Sequence, residues 1–241
     1  MNIPFLQGVL HFFFPRTCVC CGQDLPYRAT SYLCAQCAAQ LVRPGPLFCL
    51  RCGVNLPSGG AHCYACRGSK AQKYKCSVIR SAWIFNTASR ALVHGLKYNF
   101  EDYLAEDMGL QMAHHFAQYP ELAGAELIVP VPLFPAKQRA RGYNQSERLA
   151  RSFSRNTGIR LGTSVLARTR DTVSQTTLGR TARLANMSGA FSCACPQEVK
   201  RKVILLIDDV ATTGATLEGC AAALKAAGAK RVLAYTYARE N

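Results

Sequence analysis

Eight cysteines in four C-x-x-C pairs are the first residues of this 241-residue chain whose spacing can do chemistry. The pairs are Cys18/Cys21, Cys34/Cys37, Cys49/Cys52 and Cys63/Cys66, with 12, 11 and 10 residues between them. One C-x-x-C turn grips a metal with two thiolates, and two such turns complete a tetrahedral site. All-sulfur ligation selects zinc. With four protein ligands each, the sites are closed, so two structural zinc ions are expected. Sequential pairing puts Cys18, Cys21, Cys34 and Cys37 on one ion and Cys49, Cys52, Cys63 and Cys66 on the other. That is the simpler scheme; a cross-braced one, first pair with third and second with fourth, stays open. Gly22, Gly53 and Gly68 follow three of the knuckles, where the turn needs positive φ. Disulfides suit an oxidising compartment, and no export signal is read in the sequence. Iron–sulfur cysteines pack more closely than four separated knuckles. Cys20 sits inside the first knuckle. Cys76, Cys193, Cys195 and Cys220 lack a partner at ligand spacing and read as free thiols.

A second constellation lies at the other end, in V-I-L-L-I-D-D-V-A-T-T-G-A-T-L-E-G from Val203 to Gly219. An apolar strand, Val203 to Ile207, runs into two adjacent carboxylates, Asp208 and Asp209. Thr212, Thr213, Gly214, Ala215 and Thr216 then lead into an alanine-rich helix. Hydroxyls and backbone N–H groups at a helix start form an anion site suited to a phosphate monoester. Carboxylates beside it can take the vicinal hydroxyls of a ribose. The stretch therefore reads as a ribose 5-phosphate grip, and it matches neither the P-loop nor the G-x-G-x-x-G pattern.

The elements needed to position these groups can be read from periodicity. Val78 to Phe85, Leu127 to Pro132, Val203 to Ile207 and Val232 to Tyr237 read as strands. Thr87 to Tyr98, Tyr103 to Tyr119, Gln145 to Asn156 and Leu217 to Ala227 read as helices, with Gly158 and Gly228 as stops. Alternation of the two implies an α/β domain: a mainly parallel sheet flanked by helices. Residues 1–76 form a separate zinc-ribbon module with an apolar amino-terminal helix, and residues 77–241 the α/β domain. Ligands of such sheets bind beyond the carboxyl ends of the strands. That rule places Pro130 to Leu133, the loop Thr169 to Arg183 and Asp208 to Thr216 on one rim.

Lys and Arg total 29 against 14 Asp and Glu, a net charge of +15. The first 100 residues hold 11 basic side chains and one acidic, Asp24. Lys137 to Arg183 hold 11 basic and two acidic, with Tyr143 and Phe153 as stacking faces for bases. Polyanions are the natural partners of such a surface. Arg28, Arg43, Arg51 and Arg67, between the knuckles, read either as contacts for nucleic acid or protein or as solvated charge. No apolar run is long enough for a membrane span.

The Val203–Thr216 stretch resembles the phosphoribosyl-pyrophosphate (PRPP) motif of type I phosphoribosyltransferases. The resemblance assigns the ribose hydroxyls to Asp208 and Asp209 and the 5-phosphate to Thr212, Thr213, Gly214, Ala215 and Thr216. It puts Val131, Pro132 and Leu133 on the pyrophosphate side, with Lys97, Arg139 and Arg141 as cations there. It makes Thr169 to Arg183 the flexible loop, with Gln175, Arg180 and Arg183, and it implies magnesium bound with PRPP. The order of motifs narrows it further. Double knuckles, Leu96-Lys97-Tyr98, V-P-V-P-L, R-A-R-G-Y-N-Q (Arg139 to Gln145), Thr172 to Asn186, Gly189-Ala190-Phe191 and the PRPP motif follow in the sequence of the ComF family. Departures are the C-V-C-C cluster and Asn99-Phe100, where a glycine is expected.

The ComF resemblance implies a cytoplasmic, PRPP-binding, zinc-containing protein that handles imported single-stranded DNA during natural transformation. A DNA-uptake helicase or other competence proteins are the implied partners, and peripheral membrane association is left open. Two alternatives stand beside it. One is an active phosphoribosyltransferase with an unknown acceptor: Thr212 occupies the place where purine-salvage relatives carry an acid, yet orotate-type enzymes also have threonine there. The other is a zinc-ribbon adaptor with an inert transferase-like domain.

Overall fold

The structure is a computed structural model that describes residues 15–67, 74–98, 102–171, 187 and 189–240. Four parallel strands form its centre: β1 (Val78–Ile84), β2 (Leu127–Pro130), β5 (Val203–Ala211) and β6 (Arg231–Arg239), in the order β1-β6-β5-β2. Two short strands, β3 (Leu166–Arg168) and β4 (Phe191–Cys193), pair antiparallel beside them. The helices are α1 (Ala35–Ala38), α2 (Thr87–Tyr98), α3 (Leu104–Phe116), α4 (Pro135–Arg141), α5 (Gln145–Thr157), α6 (Pro196–Val199) and α7 (Ala215–Ala226).

The central strands are apolar on both faces, and each face carries its own core. On one, Leu205, Ile207, Leu233 and Tyr235 pack against α2, α3 and α5 through Leu92, Leu96, Met108, Met112, Leu149 and Phe153. On the other, Ile204, Leu206, Val232 and Ala234 meet α7 through Leu217, Ala221 and Leu224, together with Val165 and Phe191. The expected mainly parallel sheet between helices is what forms.

Helix α5 shows how locally the sequence sets its ends. The Asn144 side chain caps it by accepting from Ser146 N, and Gly158 closes it at φ +73°. Its crossing with α3 is close: a Cβ on Gly109 would lie 2.5 Å from Ser152 Cβ, so only glycine fits there.

Both sheet edges are covered. Ile79 N donates to Arg51 O at 2.8 Å and Ile84 N to Val42 O at 2.7 Å, so the cysteine module lies along β1. On the far side, Ile128 N donates to Arg160 O and Gly162 N to Ile128 O.

Several expectations are corrected. Strand β5 does not stop at Ile207 but runs through the acidic pair to Ala211, because β6 pairs with it as far as Arg239. Lys137, Arg139 and Arg141, given no element from the sequence, lie on helix α4; Pro135 starts it and Gly142, at φ +83°, ends it. Tyr143 and Phe153 offer no stacking face. Phe153 is fully buried against Phe116 and Tyr235, and the Tyr143 hydroxyl donates to Leu96 O at 2.6 Å. The β3–β4 pair was not foreseen. The amino-terminal apolar segment, Gly68, Asn99, Phe100, Gln175, Arg180 and Arg183 lie outside the described residues.

Candidate functional site

The cysteines gather as two sequential groups: Cys18, Cys21, Cys34 and Cys37 in one, Cys49, Cys52, Cys63 and Cys66 in the other. In each, the four sulfurs lie within 4.8 Å of one another. The Cys21–Cys34 and Cys52–Cys63 sulfur pairs are both 3.7 Å apart. A tetrahedron with zinc–sulfur bonds of about 2.3 Å has edges of about 3.8 Å, so the thiolates already stand at zinc spacing. The sequential scheme is the one adopted, and the cross-braced one is not.

The two groups are built alike. The first pair of each sits on a bridged turn, Thr17 with Asp24 and Phe48 with Asn55. Gly22 and Gly53 take φ +76° and +72° at the tips. The second pair of each opens a helical turn, with Cys34 and Cys63 as N-caps of nearly identical extended backbone. Backbone amides reach sulfur in both: Cys34 N to Cys18 Sγ at 3.3 Å and Cys52 N to Cys49 Sγ at 3.5 Å. Such donors offset thiolate charge and orient the ligands.

Their docking differs. The first ribbon lies on α3 and the residues before it, through a Ser31–Asp107 hydrogen bond of 3.1 Å and the Tyr32 ring 4.7 Å from that of Tyr103. The second lies on β1 and α7. The Arg80 guanidinium donates to Leu50 O at 2.8 Å, pairs with Glu121 and sits over the Phe48 ring. Arg51, one of the four arginines weighed as a nucleic-acid contact or solvated charge, turns inward to Glu218 at 3.1 Å and Cys66 Sγ at 3.4 Å.

At the carboxyl ends of β2 and β5 opens a cleft of about 660 Å³. Asp208, Asp209, Thr212 and Thr216 line it with Val131, Pro132 and Leu133, and Lys97, Lys137 and Arg141 supply its cations. Three separate stretches of sequence thus meet on the rim. Arg139 lies exposed, outside the lining.

Successive side chains of a strand point to opposite faces. Asp208 therefore continues the row of Ile204 and Leu206, and Asp209 that of Leu205 and Ile207. Both are buried, at 8% and 3% exposure, and each has a partner. The Ser146 hydroxyl donates to Asp208 Oδ1 at 2.7 Å, and Lys97 Nζ stands 3.0 Å from Asp209 Oδ2. Burial pushes the Asp208 carboxyl up to about 7; Asp209 adds to the rise, and Ser146 and Lys97 oppose it. Burial pulls the Lys97 ammonium down, but Asp209 outweighs that, so Lys97 stays firmly charged.

After Ala211 the chain turns through Thr212 and Thr213 into α7. Gly214 is its N-cap at φ +77°, with no side-chain cap hydrogen bond, and Thr213 Oγ1 accepts from Ala215 N at 3.3 Å. Thr213, Gly214 and Ala215 thus shape the turn, while Thr212 and Thr216 face the cleft. The turn offers hydroxyls and amides to an anion; the strand before it offers two carboxylates to hydroxyl donors.

Sequence reasoning missed several contributors. Asn144 Nδ2 donates to Val131 O at 3.0 Å, tying the proline loop to the start of α5. Ser146, two residues on, is the partner of Asp208. The N-cap pattern Asn144 before an amphipathic helix was the available signal. Arg168 and Tyr98 also line the cleft; Tyr98 is exposed, with the Arg141 guanidinium 5.5 Å from its ring.

Comparison with known proteins agrees with this division of labour. Residues 9–67 match the double zinc ribbon domain model and residues 131–241 the phosphoribosyl transferase domain model. Competence protein F of Haemophilus influenzae is 29% identical over 94% of this chain and 98% of its own length. DNA utilization protein YhgH of Escherichia coli K12 is 27% identical over 86% of this chain and 90% of its own. A solved glutamine PRPP amidotransferase from B. subtilis, complexed with ADP and GMP, aligns with 54% of this chain and 25% of that one. Its identity is 20% and its TM-score 0.37. Among the described residues no helix is long and apolar enough to cross a membrane. The paired cysteine clusters, the acidic rim and the matches along the chain thus describe a double zinc ribbon domain joined to a phosphoribosyl transferase domain, in a chain similar over most of its length to competence protein F and YhgH.

Proposed function

We propose that this chain binds PRPP with magnesium in the rim cleft and handles imported single-stranded DNA in the cytoplasm. The observation that carries the first part is the pair Asp208 and Asp209, buried, individually partnered and immediately upstream of the Thr212–Thr216 turn. A vicinal diol needs two acceptors at short range, and a phosphate monoester needs amide and hydroxyl donors; this rim holds both sets in register. Lys97, Lys137 and Arg141 give the same cleft cations for a diphosphate. On this reading residues 1–76 are the zinc module and residues 77–241 the PRPP-binding domain.

The donor set also fits magnesium, which prefers hard carboxylate oxygens and substrate phosphates. Asp208, raised toward neutrality by burial and then by Asp209, is a site where added positive charge is favourable. Asp208 and Asp209 would hold the magnesium-bound ligand, and the ion would neutralise charge on its diphosphate.

Support for the DNA role comes from the relatives' names and from charge. The basic run from Lys137 to Arg183 borders the cleft through Lys137, Arg141 and Arg168. Tyr98, exposed at the cleft, offers the stacking face that Tyr143 and Phe153 do not.

Calorimetric titration with PRPP and magnesium tests the proposal. Asp208→Asn and Asp209→Asn should each weaken binding by about a hundredfold, as loss of charge-assisted hydrogen bonds predicts. Binding should strengthen between about pH 6 and 8, because deprotonation of Asp208 through about 7 frees acceptor oxygens for the diol. A wild-type protein that binds no PRPP, or variants that bind it unchanged, would sink the reading. The same titration with a labelled oligonucleotide, by fluorescence anisotropy, tests the DNA half.

A further inference from the structure

We propose that the second cysteine cluster braces the turn assigned to the 5-phosphate, with Arg51 and Glu218 as positioning residues; this rests on the PRPP reading above. Arg51 stands inside the third knuckle, between Cys49 and Cys52. Its guanidinium touches three things at once. Nη1 donates to Cys66 Sγ at 3.4 Å, and Nη2 reaches Glu218 Oε2 at 3.1 Å and Cys76 O at 3.3 Å. The Tyr74 ring stacks on its other side, 3.3 Å from the guanidinium carbon. Glu218 lies on the first turn of α7, and its backbone N–H donates to Gly214 O at 2.9 Å. The Glu218 carboxylate also accepts from Cys76 N at 3.1 Å and from Lys75 N. A cluster ligand, an arginine and the helix that follows the anion turn are therefore in continuous contact.

A second line runs through the backbone. Arg51 O accepts from Ile79 N at 2.8 Å, and Gly53 packs on Ile79 so closely that a Cβ there would lie 2.7 Å from Ile79 O. The Ile79 side chain in turn abuts the anion turn: its Cδ1 would be 3.1 Å from a Cβ on Gly214. The same knuckle thus reaches Gly214 by packing and Glu218 by charge.

The turn has need of such support. Gly214 caps α7 without a side chain, and within the loop the Thr213 hydroxyl holds the Ala215 amide, so the first turn of α7 is fixed largely by what packs against it. Displacement of anion donors by a fraction of an ångström weakens binding steeply. The Arg51 and Glu218 side chains are only 11% and 15% exposed, so removing either leaves a largely buried charge beside the knuckle.

The experiment titrates the zinc-loaded full chain with ribose 5-phosphate, with inorganic pyrophosphate and with PRPP plus magnesium. Arg51→Ala and Glu218→Gln should lower ribose 5-phosphate affinity by about tenfold and leave pyrophosphate affinity within about twofold. Arg51→Lys, which restores the charge without the fork, should recover part of the loss. Ser31→Ala, at the dock of the first ribbon, should change neither. A uniform loss for both ligands, or no loss for either, overturns the brace while the PRPP reading stands. If Arg51→Ala does not fold, Glu218→Gln carries the same test, since glutamine keeps an acceptor for Cys76 N. Wild-type protein that binds neither PRPP nor ribose 5-phosphate overturns both proposals at once.

Discussion

The two cysteine ribbons are near copies in local geometry and unlike in what they touch. Both set a glycine at positive φ on one knuckle and a helical turn on the other, with sulfurs at the same 3.7 Å spacing. The first rests beside helix α3, its Leu25 and Leu33 joining the apolar core there, with aromatic and hydroxyl contacts added. The second is fastened to β1 and α7 by backbone hydrogen bonds and by two arginines, Arg51 and Arg80. A metal knuckle therefore specifies its own fold but not its role. The role comes from the side chains between the ligands, which differ.

The strongest way to break that comparison is to remove one ligand from each. Cys18→Ser and Cys49→Ser should each cost one of two bound zinc ions, read by native mass spectrometry. Loss of a structural metal belongs to the class of changes costing more than about 4 kcal/mol. Cys49→Ser should lower the melting midpoint further, because its ribbon also completes the sheet edge. Equal losses would show that docking adds nothing.

The arginines are the next test. Arg80→Met strands Leu50 O, Ile79 O and Glu121 in one stroke, and should cost about 3 kcal/mol in chemical denaturation. Arg16→Met removes the equivalent cation of the first ribbon, which stacks on Tyr32 and donates to Ala29 O. It should cost about 1 kcal/mol.

The glycines sharpen the contrast at the smallest scale. Gly22→Ala meets nothing within 4 Å and pays only the left-handed backbone penalty of about 1 kcal/mol. Gly53→Ala pays that and collides with Ile79 O, so its loss should exceed that of Gly22→Ala by about 1–2 kcal/mol. Equal effects would mean that the second knuckle is not seated on β1 as described.

What could be read from the sequence was what neighbouring residues decide. The ends of α2 and α5 followed from spacing and from Gly158. The zinc groups followed from C-x-x-C repeats, and the cleft from strand ends plus a hydroxyl-rich turn. What could not be read was decided across the fold. Strand β5 continues through two acids only because β6 lies beside it and Ser146 and Lys97 reach in. Strands β3 and β4 are three residues each, too short to show a period. Phe153 sits in a stretch rich in arginine, yet Leu149, Ala150 and Phe153 form one apolar stripe that a charge tally hides. Arg51 looked like any basic residue of a metal knuckle because its partner, Glu218, is 167 residues away.

The ribbon module along β1 has one more consequence. A parallel sheet with an uncovered outer strand is a template on which another chain can grow. Arg51 O and Val42 O occupy that template here, and both belong to the metal-held segment. Loss of zinc is thus expected to do more than loosen a small appendage: it should uncap the sheet edge at β1. Zinc-depleted chain should therefore aggregate more readily than the loaded chain, as light scattering would read.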